Sequence, residues 1–189
     1  MPPEPESGDG YVVRPSATGV LIAAVDGTGH GPEAAAAAKV AVGTLKAAAA
    51  ESPIALVLEC HEELRQTRGA VMTLAFVHLR DQTLTWLGVG NVEAALLRMA
   101  GAEGTTSERV LLRAGVVGYR LPDLRAEVIP LQPFDTLVMA TDGIDPDFDQ
   151  DLVLRRQPQQ IADQILADHW KRTDDGLVVV ARYLGGRGR

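Results

Sequence analysis

The chain has 189 residues, 46% of them hydrophobic and 23% charged, which suits one domain with a sizeable core. Its 18 basic and 25 acidic residues leave a net charge of -7, which argues against a nucleic-acid backbone or an anionic membrane surface as the main partner. One cysteine, Cys60, excludes an intramolecular disulfide and a thiolate metal cluster, and a reducing compartment fits it.

The N-terminal residues carry neither a basic patch nor an apolar run, so no signal peptide is expected. No stretch approaches the roughly 20 apolar residues of a membrane span. The expectation is a single cytoplasmic domain over residues 1–189, with residues 1–8 and 185–189 flexible.

Tyr11 to Arg14 and Gly19 to Val25 read as two strands around a turn at Pro15. The second is almost wholly apolar, as in a strand covered on both faces. It stops at Asp26-Gly27-Thr28-Gly29-His30-Gly31. Pro32 then suits a first helical position and Glu33 the first turn, so an alanine-rich helix is predicted over residues 32–50. Ser52-Pro53 restarts the chain, and Ile54, Val57, Leu58 and Leu64 stripe a second helix ending near Gly69.

Short strands follow. Val71–Leu79, Thr83–Val89 and Ala94–Met99, divided by short turns, read as an antiparallel meander. Arg109–Arg113 and Ala126–Pro130 are further strands, and Thr136–Ala140 is a strong one. Gln157–Trp170 has a helical rhythm, and Leu177–Leu184 closes the fold as a strand. Consecutive strands with helices grouped outside them indicate an α+β layering with antiparallel sheets.

Three strand ends share one chemical feature. Val25-Asp26-Gly27 and Thr141-Asp142-Gly143 each terminate a buried strand, and Asp174-Asp175-Gly176 opens the last one. Asp9 opens the first. Carboxylates converging at strand rims repel one another unless a cation lies between them. Their all-oxygen donor set suits Mg2+ or Mn2+ rather than zinc. Asp-Gly alone is a common turn dipeptide, and it is the recurrence that points to a metal site.

The remaining candidates are weaker. Gly27, Gly29 and Gly31 lack the spacing of a dinucleotide loop, and no P-loop lysine follows them. His30 is as suited to capping the helix as to chemistry. Cys60 and His61 point about 100° apart on a helix and make no nucleophile pair, so Cys60 reads as a core residue. Arg65, Arg68, Arg98 and Arg113 read as solvated.

The segment Asp26-Gly27-Thr28-Gly29-His30-Gly31-Pro32-Glu33 resembles the Asp-Gly-x-Gly-His-Gly element of the SpoIIE-like branch of PPM (type 2C) serine/threonine phosphatases. Residues 131–144, with Thr141-Asp142-Gly143-Ile144, are similar to that family's second aspartate motif. Residues 173–179 resemble its last motif, with Leu177 standing where the family carries Thr, and Gly88-Val89-Gly90-Asn91 resembles its central hairpin. The motifs span nearly the whole chain, whose size without a sensory domain is similar to that of the stressosome phosphatases.

That resemblance implies an αββα sandwich of two antiparallel sheets flanked by helices, with two Mn2+ or Mg2+ ions at one edge. Asp26 would bridge the ions with the Gly27 carbonyl beside it, Asp142 and Asp174 would complete one ion, and Asp9 would hold a neighbouring water. Asp175 competes with Asp174 for its role. The implied reaction is hydrolysis of phosphoserine or phosphothreonine on a partner protein, with stressosome scaffold proteins as the suggested substrates. The alternatives are an inactive regulatory module of the same fold and an ATP-binding anti-sigma-type kinase. The kinase would need a helix before its Asp-x-Gly-x-Gly box, where this chain reads as strands.

Overall fold

A computed structural model describes residues 6–100 and 104–185. Its elements are β1 (Asp9–Pro15), β2 (Gly19–Gly27), α1 (Pro32–Ala47), α2 (Pro53–Glu63), β3 (Ala70–His78), β4 (Thr83–Val89), β5 (Glu93–Met99), β6 (Thr105–Arg109), β7 (Leu112–Arg113), β8 (Glu127–Pro130), β9 (Thr136–Ala140), α3 (Pro158–His169) and β10 (Val178–Arg182). One sheet runs β1-β2-β3-β4-β7, with β8 also on β4, and the other runs β10-β9-β5-β6.

Three apolar clusters explain the layering. Helices α1 and α2 cover the first sheet through Ala37, Ala41, Leu45, Leu56 and Val57, which meet Val25, Leu74 and Phe76. The alanines of α1 present little bulk and let the helix lie close to the strands. A second cluster, with Ile22, Ala24, Trp86, Leu96 and Met139, fills the space between the sheets. A third packs Val138 and Ala140 against Ile161 and Ile165 of α3. The result is the expected αββα sandwich, each fully buried Leu or Ile contributing about 1.5–3 kcal/mol.

Helix α1 stops at Ala47 rather than Ala50. The Arg14 guanidinium donates to the carbonyls of Ala48, the C-cap, and Ala50 at 2.6 and 2.8 Å, tying the chain that leaves the helix to β1. In α3 the Gln157 and Gln160 side chains form a reciprocal capping box over Pro158.

The expected meander breaks after β4. β3 and β4 pair antiparallel, whereas β5 leaves for the other sheet and pairs with β9 and β6. Gly90, at φ 95°, makes the exit, and its N–H is held by the Arg113 carbonyl. β5 is apolar on both faces, with Ala94 and Leu96 toward the first sheet and Ala95 and Leu97 toward α3, so it needs cover on both sides. The strand expected at Arg109–Arg113 is likewise two, β6 in one sheet and β7 in the other. β7 adds to β4 in parallel, so the pairing is not antiparallel throughout.

Residues 1–5 and 186–189, expected to be flexible, lie outside the described residues. Glu6 to Gly8 are tied down. Glu6 pairs with Lys39, and the Gly8 carbonyl accepts the Gly27 N–H at 2.9 Å. Among the described residues no helix is long and apolar enough to cross a membrane.

Candidate metal centre

Strand register brings the first two aspartates together. Asp9 pairs with Asp26 in the antiparallel β1–β2 ladder, so both side chains lie on one face. Alternation along β2 puts Ile22, Ala24 and Asp26 toward the second sheet. β9 ends there too: its alternation carries Thr141 to the same interior, where its hydroxyl donates to Asp9 Oδ2 at 2.7 Å. That hydroxyl also accepts the Leu177 N–H at 2.9 Å, joining the first, ninth and tenth strands through one buried side chain.

The loop before β10 supplies the remaining acids. Asp175 Oδ2 accepts the Gly8 N–H at 2.6 Å, while Asp174 Oδ1 accepts the Asp175 N–H at 2.9 Å. Trp170 fixes this loop by donating its indole N–H to the Asp174 carbonyl at 3.0 Å. Asp26, Asp142 and Asp174 line one cleft of about 470 Å³ with Thr28, His30 and Asn91. Asp175 does not line it, its carboxylate being turned to Gly8.

Two glycines make these approaches possible. A Cβ on Gly27 would lie 2.0 Å from the Ala34 carbonyl oxygen, so only glycine lets β2 meet the start of α1. A Cβ on Gly143 would lie 1.7 Å from the Asp175 carbonyl oxygen. The Asp-Gly recurrence is therefore a close-packing requirement as well as a turn.

The electrostatics follow from burial and crowding. Burial, followed by the charges of Asp9, Asp142, Asp174 and Asp175, pushes the Asp26 carboxyl up to about 8. Asp9 is pushed up to about 6, chiefly by burial, with the Thr141 bond opposing and Asp175, Asp142 and Asp174 adding to the rise. Both acids hold protons in the folded chain that the unfolded chain releases near 3.8. The folded state thus binds more protons between about pH 4 and pH 8, and this contribution to stability is lost as pH rises through that window. In EDTA the protein should melt at a higher temperature at pH 6 than at pH 8. A melting temperature that falls on acidification from 8 to 6 would contradict the shared burial of this pair.

The donor set fits hard divalent cations: carboxylates and backbone carbonyls, with no sulfur. Among the described residues no three His, Cys, Asp or Glu side chains stand close enough to enclose an ion as they are placed. Five carboxylates nevertheless gather at one edge, and their like charges mark where positive charge is wanted.

Of the other side chains, some fall as expected and some do not. His30 faces the cleft and does not cap α1, whose N-cap is Gly31 without a side-chain bond. Cys60 is a core residue, its thiol pushed up to about 12 by burial. Arg98, expected to be solvated, donates through Nε to buried Asp135 at 3.0 Å. Arg65 and Arg68 pair with Glu62 and Glu33 at the surface.

Three contacts at the site are not foreseen from the sequence, although Thr141 and Asn91 belong to its motifs. Thr141 links Asp9 to Leu177, Asn91 donates to Asp142 Oδ2 at 2.8 Å, and Lys171 Nζ donates to the Asp142 carbonyl at 2.7 Å. Each joins residues far apart in the chain.

A sandwich of this topology is the fold of the PPM-type phosphatases. Solved structures agree on the fold. RsbX in complex with magnesium is 19% identical at a TM-score of 0.83, over 96% of this chain and 89% of that one. A chain from the bacterial stressosome, described as a modular system adapted to control secondary messenger signalling, is 28% identical at 0.80, over 96% and 94%. The PP2C phosphatase domain of SpoIIE from Bacillus subtilis is 20% identical at 0.70, over 93% and 58%. The model of the stage II sporulation protein E (SpoIIE) family matches residues 16–184, and the chain belongs to that family of protein serine/threonine phosphatases. A comparison with curated proteins gave no match.

Proposed function

We propose that this chain hydrolyses phosphoserine or phosphothreonine on a regulatory partner protein, with phosphorylated stressosome scaffold proteins as the substrate class. The observation that carries the reading is the half-buried pair Asp9 and Asp26, paired across β1 and β2, with Asp26 lining one cleft together with Asp142 and Asp174. The similarity to a stressosome chain supports the choice of partner.

Two Mn2+ or Mg2+ ions would be held by Asp26, the Gly27 carbonyl, Asp142 and Asp174, with Asp9 on a neighbouring water. When bound, such ions supply Lewis acidity that activates water and offsets charge on phosphoryl oxygens. Asp174 is preferred to Asp175 because it faces the cleft, whereas Asp175 is spent on the Gly8 N–H.

The chain's own residues do the rest. Thr141 keeps Asp9 oriented by donating to Oδ2, and Asn91 does the same for Asp142. Gly27 and Gly143 let the aspartate-bearing strand ends close on their neighbours. His30 lines the same cleft.

The kinase alternative loses its footing, since strands β1 and β2 occupy the region where it requires a helix. The test is phosphate release from a phosphorylated stressosome scaffold domain in Mn2+ and in EDTA. Release in Mn2+ alone is expected. No release from any phosphoserine protein in Mn2+ would leave the inactive regulatory module as the better description.

A further inference from the structure

Two cavities open on either side of Asp142. The larger is the cleft described above. The smaller, of about 180 Å³, shares Asn91 and Asp142 with it and is also lined by Thr141, Phe148 and Lys171. Resting on the phosphatase reading, we infer that Lys171 holds a non-bridging oxygen of the substrate phosphate from this second side.

The backbone of Lys171 is held by main-chain bonds. Its N–H donates to the Gly143 carbonyl at 3.0 Å, Trp170 bridges to Ile144, and Asp145 N–H donates to the His169 carbonyl at 2.9 Å. The segment after α3 is thereby laced to the segment after Asp142. Trp170 adds its bond to the Asp174 carbonyl, so Lys171 is braced between two of the candidate ligands.

The ammonium then lies 2.7 Å from the Asp142 carbonyl oxygen. Of its three donors one is used there, and two remain. Arg68, Arg98 and Arg109 are committed elsewhere, to Glu33, to Asp135, and to Glu93 and Asp149. Lys171 makes no ion pair among the described residues.

A phosphate monoester carries up to two negative charges and must enter an edge already crowded with carboxylates. A solvated ammonium on a flexible stem suits that task, acting as a point charge that can turn its free donors to an arriving oxygen. Its exposure keeps it hydrated until substrate arrives.

The test uses Lys171→Met and Lys171→Arg in the full chain. An aryl phosphate is the substrate, inorganic phosphate the inhibitor, and Mn2+ binding is followed by calorimetry. Lys171→Met should raise KM and the inhibition constant of phosphate about tenfold each, the scale of one charge-assisted hydrogen bond. Its Mn2+ affinity should stay within about twofold, and Lys171→Arg should recover most of the phosphate binding. Unchanged KM and phosphate inhibition would overturn the assignment. A loss of Mn2+ affinity matching the loss of activity would do so too, making Lys171 a prop for Asp142. If the wild type has no turnover, the phosphatase reading fails separately. The shift of melting temperature by phosphate in Mn2+ then still judges Lys171, because Lys171→Met should abolish it and an equal shift in both proteins would refute the contact.

Discussion

Asp26→Asn is expected to lower Mn2+-dependent hydrolysis of an aryl phosphate by at least about a hundredfold, since even partners of metal ligands cost 10–100-fold when lost. The fold should survive, and in EDTA the variant should be at least as stable as the wild type at pH 8. The reason lies in the β1–β2 register, which sets Asp9 and Asp26 directly opposite one another on a half-buried face. Burial first, and then the like charges around it, raise Asp26 to about 8, so ionising it in this place is costly. An amide of the same shape removes one charge and keeps the packing of Ala24 and Val25 beside it. Activity above half the wild-type rate, with Mn2+ binding retained, would remove Asp26 from the site. A variant that fails to fold would contradict the account of the site as a strained, like-charged pair.

Gly143→Ala should be the most damaging single methyl in the region. Its Cβ would meet the Asp175 carbonyl oxygen at 1.7 Å and the carbonyl carbon at 2.7 Å, both backbone atoms that no rotamer change can move. Relief requires the loop before β10 to shift away from the end of β9. That shift stretches the Thr141 bonds to Asp9 and Leu177 and the Lys171 N–H bond to Gly143. Overpacking of this kind costs typically 1–3 kcal/mol, and a backbone collision belongs at about 3 kcal/mol. For a chain of this size that corresponds to roughly 6–12 °C in melting temperature, at about 2–4 °C per kcal/mol. Turnover should fall as well, because Asp142 and Asp174 separate. A melting temperature within about 2 °C of the wild type would show that the close approach of the two loops is not required.

Much of this was legible in the sequence, for identifiable reasons. Asp26 and Asp142 announce themselves because each follows a run of buried apolar residues and precedes a glycine that the packing demands. Such a pattern is local, and local physics reads it well. The destination of β5 was not legible. Its two apolar faces require cover on both sides but do not say which sheet supplies it, and the left-handed Gly90 decides the matter. The single strand expected at 109–113 hid a change of sheet for the same reason. Arg98 looked like a surface residue because its partner Asp135 is distant in sequence and becomes its neighbour only when β5 pairs with β9. Thr141 and Asn91 stand in recognisable motifs, but their contacts, like those of Lys171, cannot be read until the fold brings Asp9 and Asp142 to them. The proposed preference for Asp174 over Asp175 rests on one hydrogen bond that the sequence does not display, that of the Gly8 N–H to Asp175.

The central claim is that strand-end carboxylates around Asp26 form a divalent cation site. Calorimetric titration of Mn2+ into the wild type and into Asp26→Asn tests it most directly, since it needs neither a substrate nor turnover. The account predicts saturable binding of about two ions to the wild type, with loss of at least one of them in the variant. Identical isotherms for the two proteins, or no saturable binding to the wild type, would contradict it.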